Sequence, residues 1–135
     1  MNKPEGREEL HDYLQQRAVK DAIEREDLNY VYEHMPSGNR WMLTEFLYSL
    51  DIDPLEYVNQ IYSQMFVYHE GTTVRIPRQV EFIDYYAFQL SDIVELVIEN
   101  SDCSFHDQAF VGMNPDCAIH WCGNVYGTDG RKKRN

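Results

Sequence analysis

The first third of the chain carries apolar residues at helical spacing. Between residue 5 and about residue 35, charged and apolar residues interleave, and Leu10, Leu14 and Ala18 form one stripe that Ala22 and Ile23 continue. This pattern predicts a helix that buries the stripe. A second short helix is predicted just before "PSG", from the spacing of Leu28, Val31, Tyr32 and Met35.

A third helix is predicted from residue 39 onward. Asn39 is a residue type favoured at a helix N-cap, and it precedes "WMLTEFLYSL". Four apolar residues in that segment follow the i, i+3, i+4, i+7 spacing of one helix face: Leu43, Phe46, Leu47 and Leu50. The first 52 residues are therefore predicted to be largely helical.

The second half of the chain follows neither the helical nor the strand period, but it repeats. In "RIPRQVEFIDYYAFQL", residues 75–90, Pro77 would stand in the first turn of a helix, and the apolar residues do not alternate. A shift of 22 residues superposes apolar positions: Val58, Ile61, Met65 and Phe66 fall on Val80, Ile83, Ala87 and Phe88; Ile83, Ala87 and Phe88 fall on Phe105, Ala109 and Phe110; Val74 and Ile76 fall on Leu96 and Ile98. Such a repeat is typical of a solenoid, in which each coil contains a short strand and a return segment.

The repeated segment resembles a known family. "VRIPRQVEFIDYYAFQLSDIVELVIENSDCSFHDQAFVGM" is similar to the BspA-type leucine-rich repeat, whose units read I-P-x-x-V-x-x-I-x-x-x-A-F before a strand, and the resemblance covers about residues 54–123. The first unit departs from the pattern because Asp53-Pro54-Leu55 replaces its strand. In the last unit one residue is missing before "DCAIHW", which would turn Cys117, Ile119 and Trp121 inward. The family occurs in bacterial surface, protist and bacteriophage proteins, so the resemblance implies a fold, admits a bacteriophage-encoded member and says little about function.

These features predict an α+β fold: an N-terminal helical cap followed by a short leucine-rich-repeat solenoid of about three 22-residue coils. The cap is assigned to residues 1–52 and the coils to residues 53–123, because the open apolar end of a terminal coil needs covering. A basic disordered tail is expected over residues 124–135. No Ser- or Pro-rich linker separates the halves, so we expect one cooperative body.

The charge of the chain excludes several kinds of partner. There are 12 Lys and Arg against 23 Asp and Glu, a net charge of −11; without residues 129–135 the count is 8 against 22, or −14. Such a surface repels nucleic-acid phosphates, and residues 54–62, the recognition segment of a possible helix-turn-helix, contain no Lys or Arg. We expect no direct nucleic-acid or membrane partner. With no signal peptide and no apolar run of about 20 residues, the expected location is the cytoplasm, that of the host for a bacteriophage protein.

Three cysteines occur in the last third of the chain, an odd number that does not indicate a disulfide framework. Cys103-x-x-His106 and Cys117-x-x-His120-x-Cys122 resemble zinc-ligand spacing. The repeat register instead explains Cys103 and Cys117 as small inward-facing residues, and on that basis we expect no metal or other cofactor. No activated nucleophile or Gly-rich phosphate loop is found, so no enzyme activity is expected.

The exposed faces of the repeats are the remaining place for function. Seven candidate partner-binding residues point away from the predicted core: Arg75, Glu95, Val97 and Glu99 on the strand face, and Asp84, Tyr85 and Asp107 on the return side. Tyrosine, of which the chain has ten, suits interface anchors because it offers a large area with few rotatable bonds. The alternative is that these side chains form an ordinary solvated surface.

The sequence therefore predicts a non-catalytic protein–protein interaction module with an acidic, tyrosine-bearing leucine-rich-repeat surface. Its partner would be a host or viral protein with a basic surface, and a bacteriophage protein that binds and inhibits a host protein fits this description. One alternative is a DNA mimic that blocks a host nuclease or defence complex through its negative charge. Another is a virion-associated structural module.

Overall fold

The computed structural model describes residues 7–133, in which helices come first and strands follow. The helices are α1 (Arg7–Glu26), α2 (Leu28–His34) and α3 (Arg40–Ser49), with 3-10 turns at Ser37–Asn39 and Pro54–Glu56. The strands are β1 (Gln60–Ile61), β2 (Thr73–Ile76), β3 (Phe82–Ile83), β4 (Glu95–Ile98), β5 (Ser104–Phe105), β6 (Ala118–Trp121) and β7 (Asn124–Tyr126). The helices lie where the apolar spacing predicts them.

The predicted buried stripe of α1 is wrong for its N-terminal residues and confirmed at Ile23. Leu10 and Leu14 are 48% and 57% exposed, whereas Ile23 is buried. Gln16 is also buried, and its side-chain amide donates to the carbonyl of Leu50. Gln16, Val19 and Ile23 lie three and four positions apart on one side of α1, and this side packs against the body.

The short helices α2 and α3 are tied to each other and to the strands by hydrogen bonds. Tyr32 is fully buried, and its hydroxyl lies 2.7 Å from Oγ1 of Thr44. Arg40 donates from Nε to the Tyr32 carbonyl (2.7 Å) and from Nη1 to Ser63 Oγ (2.8 Å). The helical region is therefore anchored on the first segment of the strand region.

The strands form two sheets. β1, β3 and β5 make a three-stranded parallel sheet, and the second sheet has the order β2-β4-β6-β7. Strands β2 and β4 pair in parallel with a 22-residue offset, so that Val74 meets Leu96 and Ile76 meets Ile98. β7 runs antiparallel to β6.

A single apolar cluster joins the inward side chains of both sheets to α2 and α3. At its centre three phenylalanine rings stack: the centroids of Phe66 and Phe88 are 5.6 Å apart, and those of Phe88 and Phe110 are 6.3 Å apart. Phe66 and Phe88 have no exposed surface. The spacing of 22 residues thus places three aromatic rings in one column.

The predicted leucine-rich-repeat solenoid is wrong: residues 7–133 form a small α+β domain with three helices and two sheets, one of them mixed. A repeat array needs about three or more like units. Here only two segments carry both a four-residue and a two-residue strand, namely β2 with β3 and β4 with β5. Before them a 3-10 turn replaces the longer strand, and after them β6 turns back through a hairpin into β7.

Two further predictions about the C-terminal segment need correction. β6 pairs with β4 at an offset of 23 residues, Leu96 opposite Ile119, so this segment has one residue more than the 22-residue period and not one fewer. Residues 124–126, assigned to a disordered tail, form β7, and Tyr126 also bridges to Lys132. Residues 134–135 of that tail lie outside the described residues. A hairpin forms because Gly123, at φ 77°, adopts the left-handed conformation that a tight turn needs.

Among residues 7–133, no helix is long and apolar enough to span a bilayer.

Candidate functional site

The seven predicted partner-binding residues separate into two groups on different sheets. Arg75, Glu95, Val97 and Glu99 belong to, or directly follow, the paired strands β2 and β4, where Arg75 lies opposite Val97. Nη1 of Arg75 lies 3.4 Å from Oε1 of Glu99. The ion pair neutralises Glu99, and Val97 is half-buried and uncharged. Glu95 is therefore the one carboxylate of this group that forms no ion pair with a described residue.

The second group follows the strands of the other sheet. The carboxylate of Asp84 accepts the backbone N–H of Tyr85 at 2.8 Å, which fixes the turn after β3. Tyr85 is 38% exposed, and its ring centroid lies 5.4 Å from that of His106 in the neighbouring turn. Asp107, the next residue, is exposed. Sequence reasoning therefore selected two surfaces and not one.

The acidic character of the strand region exceeds what the total charge suggests. Between Trp41 and Gly130 there are 14 acidic residues and two basic ones, Arg75 and Arg78.

The comparisons with known proteins find no matching family model, no matching curated protein and no matching solved structure. The candidate site is accordingly defined by charge and geometry.

Four acids surround the paired strands β3 and β5. Glu81 precedes β3 and Asp84 follows it; Asp102 precedes β5 by two residues and Asp107 follows it. β3 and β5 are neighbours, with Phe82 opposite Ser104. Within the described residues none of the four acids forms an ion pair, although Arg78 is close in sequence to Glu81. We call the set Glu81, Asp84, Asp102, Asp107 and Tyr85 the β3–β5 acidic surface.

One contact that sequence reasoning missed joins α3 to the strand region. Oε1 of Glu45 lies 2.9 Å from Nδ1 of His69, whose side chain is only 12% exposed. A carboxylate that orients an imidazole is a familiar part of nucleophilic sites. Ser91, which lies in the neighbouring segment, has a buried Oγ that makes no hydrogen bond to any described residue. The Glu45–His69 contact links α3 to the corner of the chain at residue 69.

The cysteines do not converge in the structure. Cys103 and Cys117 are buried, and burial raises the pKa of each thiol to about 11. The sulfur atom of Cys103 lies 3.6 Å from the carbonyl oxygen of Ser104, and that of Cys117 lies 3.8 Å from the carbonyl oxygen of Ala118. Among the side chains that the structure describes, no group of three from His, Cys, Asp or Glu could hold a metal ion. The zinc spacing in the sequence thus has no matching ligand set in the described part of the chain.

The three thiols are expected to differ sharply in reactivity. Cys122 is exposed, whereas a thiol with its pKa near 11 carries almost no thiolate at pH 8, and thiolate is the reactive form. At pH 8 iodoacetamide should modify Cys122 in the folded protein, and Cys103 and Cys117 only after unfolding. Mass spectrometry of peptides labelled before and after denaturation measures this. Equal labelling of all three in the folded state would contradict the burial of the two inner thiols.

Proposed function

We propose that this protein is a non-catalytic binding module whose β3–β5 acidic surface contacts a basic surface of another protein. The observation that carries the proposal is the set of four carboxylates around β3 and β5 with no ion pair among the described residues. Uncompensated charge on one surface steers an oppositely charged partner and accelerates association.

Tyr85 supplies the apolar part of this proposed contact. Its ring is held between Tyr86 and His106, at centroid distances of 5.5 and 5.4 Å. His106 is itself fixed, because its Nδ1 accepts the backbone N–H of Gln108 at 3.0 Å. A ring that is partly exposed and already held in place loses little conformational entropy on binding, which is typical of an interface anchor.

The strand face supports the proposal less well. Arg75 and Glu99 pair with each other across β2 and β4, and this leaves one carboxylate, that of Glu95, without a partner in this group. The candidate residues of that face therefore bring little net charge to a basic partner.

Charge reversal on the β3–β5 acidic surface tests the proposal. Glu81→Lys combined with Asp107→Lys should slow association with a partner captured from a lysate of the source cells by about tenfold at low ionic strength, since steering acts on the on-rate. The control is Glu24→Lys with Glu26→Lys, two exposed acids of α1 that change the total charge equally. Association kinetics of both variants at low and high salt provide the measurement.

If the control slows association as much as the test variant, the effect belongs to total charge and the β3–β5 acidic surface is not the interface. Unchanged kinetics in both variants would reject it as well. The Tyr85→Ala variant should instead raise the dissociation rate, because loss of a packed anchor acts on the lifetime of the complex.

The DNA-mimic alternative rests on the ratio of 14 acids to two bases between Trp41 and Gly130. A DNA mimic occupies the nucleic-acid groove of its partner, so duplex DNA would compete with it and raised salt would release it. A binding module anchored by Tyr85 would keep its partner in the presence of duplex DNA. Competition for the captured partner therefore separates the two functions.

A further inference from the structure

Exposed apolar side chains lie on the segments that lead into β2 and into β4, beside α3. Tyr68 and Leu90 are 55% and 56% exposed. They lie on neighbouring segments, because the N–H of Tyr68 donates to the carbonyl of Gln89 at 3.3 Å. Trp41 of α3 packs edge to face on Tyr68, with the centroids 5.2 Å apart. We call Trp41, Tyr68 and Leu90 the apolar ridge.

Tyr68 and Leu90 have a backbone conformation that large side chains avoid. Tyr68 has φ 61° and Leu90 has φ 59°, in the left-handed region where a Cβ atom crowds the carbonyl oxygen. The Leu90 N–H donates to the carbonyl of Gly112 at 2.8 Å, and at this third position the same turn contains glycine at φ 81°.

Large apolar residues at two of these three positions therefore add strain where glycine would not. Over half of each side chain is exposed, so packing within the described residues compensates little. Backbone strain and exposed apolar surface thus coincide at Tyr68 and Leu90, a combination that contact with another molecule would explain.

Acidic side chains accompany the apolar ridge. Glu70 and Asp92 are exposed and each stands two residues after a ridge residue, and the N–H of Asp92 donates to the His69 carbonyl at 2.9 Å. Glu45 lies one helical turn after Trp41 and bonds to His69. No Lys or Arg occurs in residues 41–74 or 79–130. A basic residue of a partner would therefore find carboxylates here that have no lysine or arginine close in sequence.

We propose that the apolar ridge and its acids Glu70 and Asp92 form a docking site for an amphipathic segment of a partner protein. That segment presents large apolar residues to Tyr68 and Leu90 and places Lys or Arg beside them, opposite the two carboxylates. A second copy of this chain would bring the same acids against each other, and an anionic membrane would be repelled. The site shares no residue with the β3–β5 acidic surface and does not rest on it.

A synthetic peptide serves as the probe. A fluorescein-labelled amphipathic helix with leucine on one face and lysine on the other is titrated with the full chain, and fluorescence anisotropy measures binding. We expect saturable binding at moderate salt. Two control peptides should bind at least about tenfold more weakly. The peptide with Ser in place of Leu loses the apolar contacts, and the peptide with Glu in place of Lys loses the contacts with the carboxylates. A control peptide that binds equally overturns the proposal.

The variant Leu90→Asn locates the site. It removes an apolar anchor and should weaken peptide binding by at least about tenfold. It should also raise the denaturant midpoint, because asparagine adopts the left-handed backbone more readily than leucine. The matched control is Leu14→Asn, the same change at a side chain that is 57% exposed on α1, and it should leave the affinity unchanged.

Each other outcome overturns the proposal. If Leu14→Asn weakens peptide binding as much as Leu90→Asn does, the peptide binds nonspecifically to exposed leucines. If Leu90→Asn leaves the affinity unchanged, the peptide binds elsewhere on the protein. A lower midpoint for Leu90→Asn means that this leucine is retained for packing. Binding of zwitterionic lipid vesicles that Leu90→Asn abolishes would assign the apolar ridge to a lipid surface. A wild-type dimer that Leu90→Asn splits would assign it to a second copy.

Discussion

Replacement of Phe88 by alanine should lower the free energy of unfolding by about 3–5 kcal/mol, as truncation of buried phenylalanine does. Phe88 has no exposed surface and stands between the rings of Phe66 and Phe110. Removal of its ring leaves a cavity at the centre of the stack, and Phe66 and Phe110 each lose the ring on which they stack. Chemical denaturation followed by fluorescence gives the change in free energy.

Tyr85→Ala is the matched control for this loss, since it removes an aromatic ring three residues away that is 38% exposed. It should reduce the free energy of unfolding by only about 1 kcal/mol, because a partly exposed ring gives up less buried area. If the two variants have the same stability, the aromatic column is not the centre of the core.

A chain that begins at Asp53 should not fold cooperatively. The missing residues include Leu28, Tyr32, Leu47 and Ile52, all of which are fully or almost fully buried in the cluster that also holds the strands. Each such side chain contributes roughly 2–5 kcal/mol when it is lost from a core, and the whole stability of a domain is only about 5–15 kcal/mol. Thermal unfolding by circular dichroism should show no sharp transition.

The graded control is a chain that begins at Asp27 and lacks residues 1–26, which include α1. It loses two buried residues of the described part of α1, Gln16 and Ile23, and should unfold cooperatively at a lower temperature. A sharp transition in the chain that begins at Asp53 would show instead that the strand region is an independent domain.

The two proposed surfaces differ in the backbone conformation of their residues. The β3–β5 acidic surface uses residues in turns that hydrogen bonds already stabilise, such as the Asp84 carboxylate on the Tyr85 N–H. Two residues of the apolar ridge, Tyr68 and Leu90, occupy backbone positions that glycine or asparagine would adopt with less strain. Stability measurements on Leu90→Asn therefore carry functional information that the same measurements on Tyr85→Ala do not.

Several features followed from the sequence because they depend on local spacing. The helices α1, α2 and α3 follow from apolar residues three and four positions apart, a property of the chain that needs no partner. The facing pairs Val74 with Leu96 and Ile76 with Ile98 follow from one constant shift of 22 residues. Neighbouring strands of like length bring equivalent positions together, so a shift in sequence becomes a pairing in space.

Other features depended on contacts between segments that share no period. The sequence interpretation extended the repeat into an array, but the array does not form, because β6 turns back at Gly123 and pairs with β7. The side of α1 that faces the body includes Gln16, which reaches the Leu50 carbonyl 34 residues away, and Ile23, which joins the core. Leu10 and Leu14, the first residues of the predicted stripe, remain exposed.

The candidate sites divide in the same way. Charge and composition pointed to acids and tyrosine, and Asp84, Tyr85 and Asp107 do lie together around β3 and β5. The apolar ridge could be identified only from the tertiary structure. The spacing of apolar residues predicts neither the positive φ of Tyr68 and Leu90 nor the contact between Trp41 and Tyr68. Local periodicity is set by the backbone geometry of each segment, whereas exposure is set by what the rest of the chain places against it.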